Sequence, residues 1–199
     1  DAVPDATFER VKHTLKPQFL VNGYGPTETV VTPLLWKIAA DGHCEAMYAP
    51  IGRRVGTRSL HVLDMDLNPL PVGMVGELYI GGRGVARGYH RHPWQTAERF
   101  VANPFSNDGG RLYRTGDLVR RREDGVFDYV GRIDHQVKVR GFRIELGEIE
   151  ARLREQVGVN DALVVVRDSG QGPQLVGYVV AVEDDGLGLR CQAALRESL

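Results

Sequence analysis

The chain has 199 residues, a formal net charge of −1, 42% hydrophobic residues and 26% charged ones. That length allows one sizeable core, or one core with a smaller second unit. The near-balanced charge, with both signs scattered, argues against a polyanion-binding surface, so neither nucleic acid nor a membrane is expected as a partner.

In chain order, Phe8, Val11 and Leu15 follow helical spacing and predict a helix over residues 6–16. The triplet Phe19, Leu20 and Val21 predicts a short buried strand. From residue 49 to 89 the text breaks into short β-like pieces, at 59–63 and 77–80, with a turn at 68–71, which predicts a small twisted β-rich unit. A helix is expected over 96–101, stopped by Asn103 and Pro104. Residues 118–122 and 126–130 flank Glu123-Asp124-Gly125, a hairpin whose glycine supplies positive φ. Leu146, Ile149, Leu153 and Val157 share one face of a helix expected over 145–157, with acids early and Arg152 and Arg154 late. Strands at 162–166 and 175–182, joined by a turn at 168–173, and a last helix at 192–199 complete the pattern. A boundary is placed near Asp134, with a smaller α+β unit beyond it.

Three polar islands interrupt these elements. In Asn22-Gly-Tyr-Gly-Pro-Thr-Glu28, a tight turn presents a hydroxyl and a carboxylate, chemistry suited to a phosphate and its magnesium ion. The bland alternative is a turn running into a helix N-terminus, where an acid is stabilised anyway. In Tyr113-Arg-Thr-Gly-Asp-Leu118, Asp117 follows a glycine at the head of an apolar-basic strand, where a simple turn residue is the alternative. The third island runs from Gly131 to Glu150. There Arg132 could form only a surface ion pair, and Lys138 and Arg140 could be the solvated face of an edge strand. Tyr129 alternates with Phe127 and could be core.

Other features carry less. Gly81-Gly-Arg-Gly84 is followed by no Lys-Ser/Thr pair and is read as tight turns. His90 and His92 lack a third ligand nearby. Arg120, Arg121 and Arg122 adjoin Glu123 and Asp124 and form a solvated hairpin face. Cys44 and Cys191 fit no metal spacing and suggest free thiols in a reducing compartment. With no membrane-length apolar run and no signal peptide, the expected location is cytoplasmic.

The islands, in this order and with Ile51-Gly-Arg-Arg54, Gly76-Glu-Leu-Tyr-Ile-Gly-Gly-Arg-Gly-Val-Ala-Arg-Gly-Tyr89 and the run from Thr96 to Phe105 between them, resemble the adenylation domains of nonribosomal peptide synthetases, within the adenylate-forming superfamily. The resemblance covers nearly the whole chain, and Val139-Arg-Gly-Phe-Arg-Ile-Glu-Leu-Gly-Glu148 favours the peptide-synthetase branch over acyl-CoA ligases. It implies a mixed α/β and α+β fold: residues 1–133 as the C-terminal part of a large core with a distorted barrel-like β unit, and 134–199 as a truncated, mobile small subdomain. It implies ATP-dependent formation of an aminoacyl adenylate, with Mg2+, and transfer to the phosphopantetheine of a carrier protein domain, next to a condensation domain of the same assembly line.

The resemblance also assigns roles. Asn22 would hydrogen-bond the adenine and Tyr24 stack on it, Thr27 would touch the α-phosphate, and Glu28 would hold magnesium. Asp117 would accept from both ribose hydroxyls with Arg132 as its companion, and Tyr129 aligns with an aromatic near the nucleotide. Gly23, Val31 and Thr32 would help line the amino acid pocket. Asp134 stands at the hinge, and Lys138, Arg140 and Gly141 in the loop lining the pantetheine tunnel. The family's glycine-rich phosphate loop and closing catalytic lysine are not found, and Asp1 opens the chain without methionine, so a fragment inactive by itself is expected. A stand-alone acyl or aryl acid ligase, using CoA or another acceptor, is the alternative; a degenerate nucleotide-binding scaffold is another, against which intact Glu28, Asp117 and Arg132 weigh.

Overall fold

Asp5 in the first turn, and Lys12 and His13 in the last, match the dipole of helix α1, Asp5–Leu15. The computed structural model describes residues 2–44, 46–133, 136–139, 142–168, 172–181 and 186–198. Phe8 is buried on the inner face of α1, with its ring 5.2 Å from Trp36. The expected apolar face holds only in part, because Leu15 is 70% exposed and Lys12 is buried in its stead. A lysine can do this because its stem is apolar while its ammonium finds Glu9 at 2.9 Å and the Gly42 carbonyl at 2.8 Å.

Strands β1 (Phe19–Tyr24), β2 (Leu34–Ala39) and β3 (Arg53–Arg54) form an antiparallel sheet in that order. β1 is longer than the expected triplet and is not buried. It lies at the sheet edge, and its period-2 alternation leaves Phe19 and Val21 exposed. Lys37 sits over the Phe19 ring at 4.0 Å.

The β-rich unit is a five-stranded antiparallel sheet of β4 (Ser59–Leu63), β5 (Val75–Gly81), β6 (Phe100–Ala102), β7 (Arg111–Arg121) and β8 (Phe127–Arg132). Helix α2 runs Pro93–Arg99, three residues earlier than expected at its start, since proline suits the first helical position. It stops before Phe100 because Phe100 and Val101 pair with Tyr113 and Leu112 of β7. Gly125 turns the β7–β8 hairpin with φ +82°. Gly82 and Gly84 also have positive φ, in turns.

Leu34, Ile51, Val62, Leu78, Ile80, Val119 and Phe127 form a core shared by the two sheets. Backbone bonds reinforce it: the N–H groups of Ile51 and Gly52 donate to the Phe127 carbonyl at 2.9 and 3.2 Å. Only glycine fits at position 52, where φ is +96° and a Cβ would lie 2.1 Å from the Leu35 carbonyl. The end of β1 is thereby fixed relative to β7 and β8.

Contacts divide the chain into two compact units, Ala2–Ile133 and Asp134–Leu199. In the second, β9 (Val137–Val139) pairs with β10 (Phe142–Ile144), and β11 (Val159–Asp168) with β12 (Pro173–Ala181). Helices α3 (Leu146–Arg154) and α4 (Leu187–Ser198) supply Leu146, Ile149, Leu153, Leu187 and Cys191 to a core with Ala162 and Val164. α3 ends before Val157, which is 88% exposed rather than on the apolar face. α4 starts at Leu187, before the expected position 192, because Leu187 and Cys191 are one turn apart and both buried. Both strands run beyond their expected starts; Val182 and turn residues 169–171 lie outside the described residues. Cys44 and Cys191 are free and buried. Among the described residues, no helix is long and apolar enough to cross a membrane.

Candidate functional site

Strand β7 carries a bulge at its centre. Tyr79 pairs with Arg114 and Glu77 with Leu118, so two steps along β5 face four along β7. Gly116, with φ +75°, takes the conformation this excursion demands. At the same place β7 changes its other neighbour, from β6 up to Tyr113 to β8 from Asp117 onward. Thr115 is buried and stitches the bulge: its hydroxyl donates to the Leu78 carbonyl at 2.7 Å and accepts the Asp117 N–H at 3.0 Å.

Asp117 therefore stands at a bend, its carboxylate between two donors. Arg132 Nη1 donates to Oδ1 at 2.7 Å and the Tyr24 hydroxyl donates to Oδ2. Arg132 also donates to the Thr115 carbonyl at 3.2 Å, so both ends of the bulge hold it. Burial, reinforced by the Asp117 charge, holds the Tyr24 phenol well above its ordinary pKa, so it remains a donor. Each carboxylate oxygen has two lone pairs, which leaves acceptor capacity for hydroxyl groups.

The first island continues from Tyr24 into a short 3-10 turn, Thr27–Thr29. Thr27 is exposed and Glu28 half-buried. The Tyr89 hydroxyl donates to Glu28 Oε1 at 2.7 Å, and the Ala86 N–H to the Glu28 carbonyl at 2.8 Å. Asn22 donates through Nδ2 to the Pro50 carbonyl at 2.9 Å, which orients its amide with the oxygen as the available acceptor. A Cβ on Gly23 would lie 3.3 Å from Thr32 Cγ2, so these two pocket candidates are neighbours. Val30 and Val31 both have positive φ, 60° and 59°, a strained conformation for β-branched residues, and both are exposed. Tyr129 packs on the shared core and meets Tyr48 edge-on at 5.7 Å.

The donor set around Glu28 fits magnesium only as a shared site. Magnesium is commonly held by one or two carboxylates plus substrate phosphates. Among the described residues no group of three or more His, Cys, Asp or Glu could hold a metal, which includes His90 and His92. Lys138 belongs to β9, but its side chain, with Asp134, Arg140 and Gly141, lies outside the described residues.

Residues 1–90 match the family model described as AMP-binding enzyme. Phosphinothricin tripeptide synthetase PhsC of Streptomyces viridochromogenes is 48% identical over 176 residues, 88% of this chain and 16% of that protein. Residues 1–90 thus carry the match to the AMP-binding enzymes, and the chain is similar over most of its length to peptide-synthetase adenylation proteins. Among solved structures, an artificially fused adenylation–PCP di-domain synthetase from Klebsiella oxytoca is 34% identical with a TM-score of 0.77, covering 98% of this chain and 36% of that one. The Vibrio cholerae adenylation domain AlmE, in complex with glycyl-adenosine-5'-phosphate, is 27% identical with a TM-score of 0.82, covering all of this chain and 38% of that one. The chain thus spans a small part of the curated relatives it matches.

The residues that reading the sequence missed are those acting behind the first contacts. Tyr89 holds Glu28, and Thr115 shapes the bend at Asp117. Both stand inside sequence motifs, Tyr89 closing the glycine-rich run and Thr115 in the second island. Their polarity was a signal; their partners, 61 positions away for Tyr89 and 37 for Thr115, were not.

Proposed function

We propose that this chain is part of an enzyme that activates an amino acid with ATP and passes it to a carrier-protein thiol. The amino acid carboxylate attacks the α-phosphorus and pyrophosphate leaves; the thiol then takes the aminoacyl group and AMP leaves. Two anions must be brought together in the first step, so positioning and charge neutralisation dominate.

The observation that carries this reading is the Tyr24–Asp117–Arg132 cluster, a buried carboxylate fixed by two donors with capacity left for two vicinal hydroxyls. Asp117 binds the ribose, Tyr24 and the Asn22 amide oxygen take the adenine, and Tyr129 lies beside the nucleotide. Thr27 directs its hydroxyl to the α-phosphate. Glu28, with phosphate oxygens, would hold a magnesium ion, which supplies charge neutralisation when bound. Gly23, Val31 and Thr32 line the amino acid pocket, where small side chains leave room.

On the same reading residues 1–133 are the end of the large core and 134–199 the smaller mobile part, with Asp134 as hinge. Lys138, Arg140 and Gly141 line the path of the phosphopantetheine arm. A carrier and a condensation domain are then neighbours, and the setting is cytoplasmic. The bound glycyl adenylate of AlmE and the carrier domain in the Klebsiella fusion support the substrate class and the partner. Because the chain spans 36% of that fusion, it is expected to have no turnover by itself.

Trapping with hydroxylamine tests the proposal. The intact protein is expected to form a hydroxamate of one amino acid in an ATP-dependent reaction. Hydroxamate formation only from aryl or fatty acids would replace the amino acid reading.

A further inference from the structure

Glu77 lies on β5 directly across from the bulge that aims Asp117, and it is only 5% exposed. A carboxylate is costly in such a place unless its oxygens are satisfied. Here Arg114 Nε donates to it at 3.0 and 3.1 Å, the Gly116 N–H at 2.9 Å, and the Tyr79 hydroxyl at 3.1 Å. Two of these three donors belong to the bulge itself. The Gly116 N–H has left the ladder because of the extra residues, and Glu77 is the group that satisfies it. The next peptide is the one Thr115 holds, and it leads directly to the Asp117 carboxylate.

A plain antiparallel pair needs no carboxylate between its strands, and an apolar residue would fill the space without binding the freed N–H. We propose that Glu77 is a positioning residue for nucleotide recognition: it locks the 114–116 bulge through Gly116 and Arg114 so that Asp117 presents both oxygens to the ribose. The proposal rests on Asp117 being the ribose acceptor. It assigns Glu77 a role in discrimination of the sugar, without contact to substrate.

The test uses the intact protein and compares kcat/KM in pyrophosphate exchange for ATP with that for 2′,3′-dideoxy-ATP. Asp117→Asn comes first. If it leaves the ATP preference unchanged, the ribose reading fails and the proposal with it. If it removes the preference, the Glu77 variants decide. Glu77→Asp keeps the charge but is one methylene too short for Gly116; Glu77→Gln keeps the reach and loses the charge. The expected result is that Glu77→Asp lowers the ATP preference about tenfold, with the KM for the amino acid unchanged, while Glu77→Gln retains most of it. Should Glu77→Asp not fold, Glu77→Ser, which admits water beside Gly116, removes the same reach. A folded Asp or Ser variant with the parental ATP preference overturns the proposal. So does a Gln variant that loses as much as the shortened ones.

Discussion

Arg132 reaches Asp117 at 2.7 Å from the residue paired with it across the β7–β8 ladder, and both side chains are largely covered. The pair closes the hairpin end and at the same time fixes the carboxylate that the proposed chemistry needs. Structure and function here depend on the same contact.

Removing the arginine leaves Asp117 as a covered charge with one donor fewer, a change costing on the order of 2 kcal/mol. Arg132→Met, which keeps the stem, is expected to lower the unfolding free energy of the Ala2–Ile133 unit by that amount, read as a lower urea midpoint with an unchanged slope. An unaltered midpoint would mean the pair contributes nothing to folding.

Gly25 supports the turn between Tyr24 and Thr27 by close approach rather than by its φ. A Cβ there would lie 2.0 Å from Pro33 Cδ and 2.4 Å from the Val31 carbonyl. Gly25→Ala must therefore shift backbone, and a loss of about 1–3 kcal/mol is expected, read as a lower thermal midpoint. Gly73→Ala, where no atom lies within 4 Å but φ is +89°, isolates the cost of φ alone and should lose about 1 kcal/mol.

Tyr24, Tyr79 and Tyr89 should resist ionisation. Burial pushes the Tyr79 phenol up to about 12, with the Glu77 charge adding to it; burial first, then neighbouring groups, also raises Tyr24 and Tyr89. Below the ordinary value of 10 the Tyr79 phenol is protonated in both the folded and unfolded states, so its contribution is intact. Between 10 and about 12 the unfolded chain has lost a proton that the folded one keeps, so stability falls as pH rises. An alkaline titration followed by tyrosinate absorbance should show a delayed group of phenols that ionises with unfolding. Simultaneous ionisation of all seven in the folded protein would contradict this.

The hairpin at Glu123-Asp124-Gly125 and the α+β pattern of the last third were legible because periodicity and turn residues are local. Element ends were less so. Lys12 replaced Leu15 in the core through a carbonyl 30 positions away, and Phe100 left α2 for a strand because of a partner at Tyr113. The candidate site was legible as motifs but not as geometry. Asp117 and Arg132 stood out in the sequence, whereas the bond from Tyr24, 93 positions from Asp117, and the bulge behind them are tertiary facts. Glu77 was hidden for the same reason, since nothing along β5 announces the two extra residues in β7.

Amino acid adenylation by the intact protein is open to a direct assay, pyrophosphate exchange into ATP. Screened over amino acids and a few aryl acids, it should show exchange with one amino acid, and Glu28→Gln should reduce that exchange at least about a hundredfold. A folded protein that exchanges with none of them, or whose exchange survives Glu28→Gln unchanged, does not activate an amino acid through Glu28.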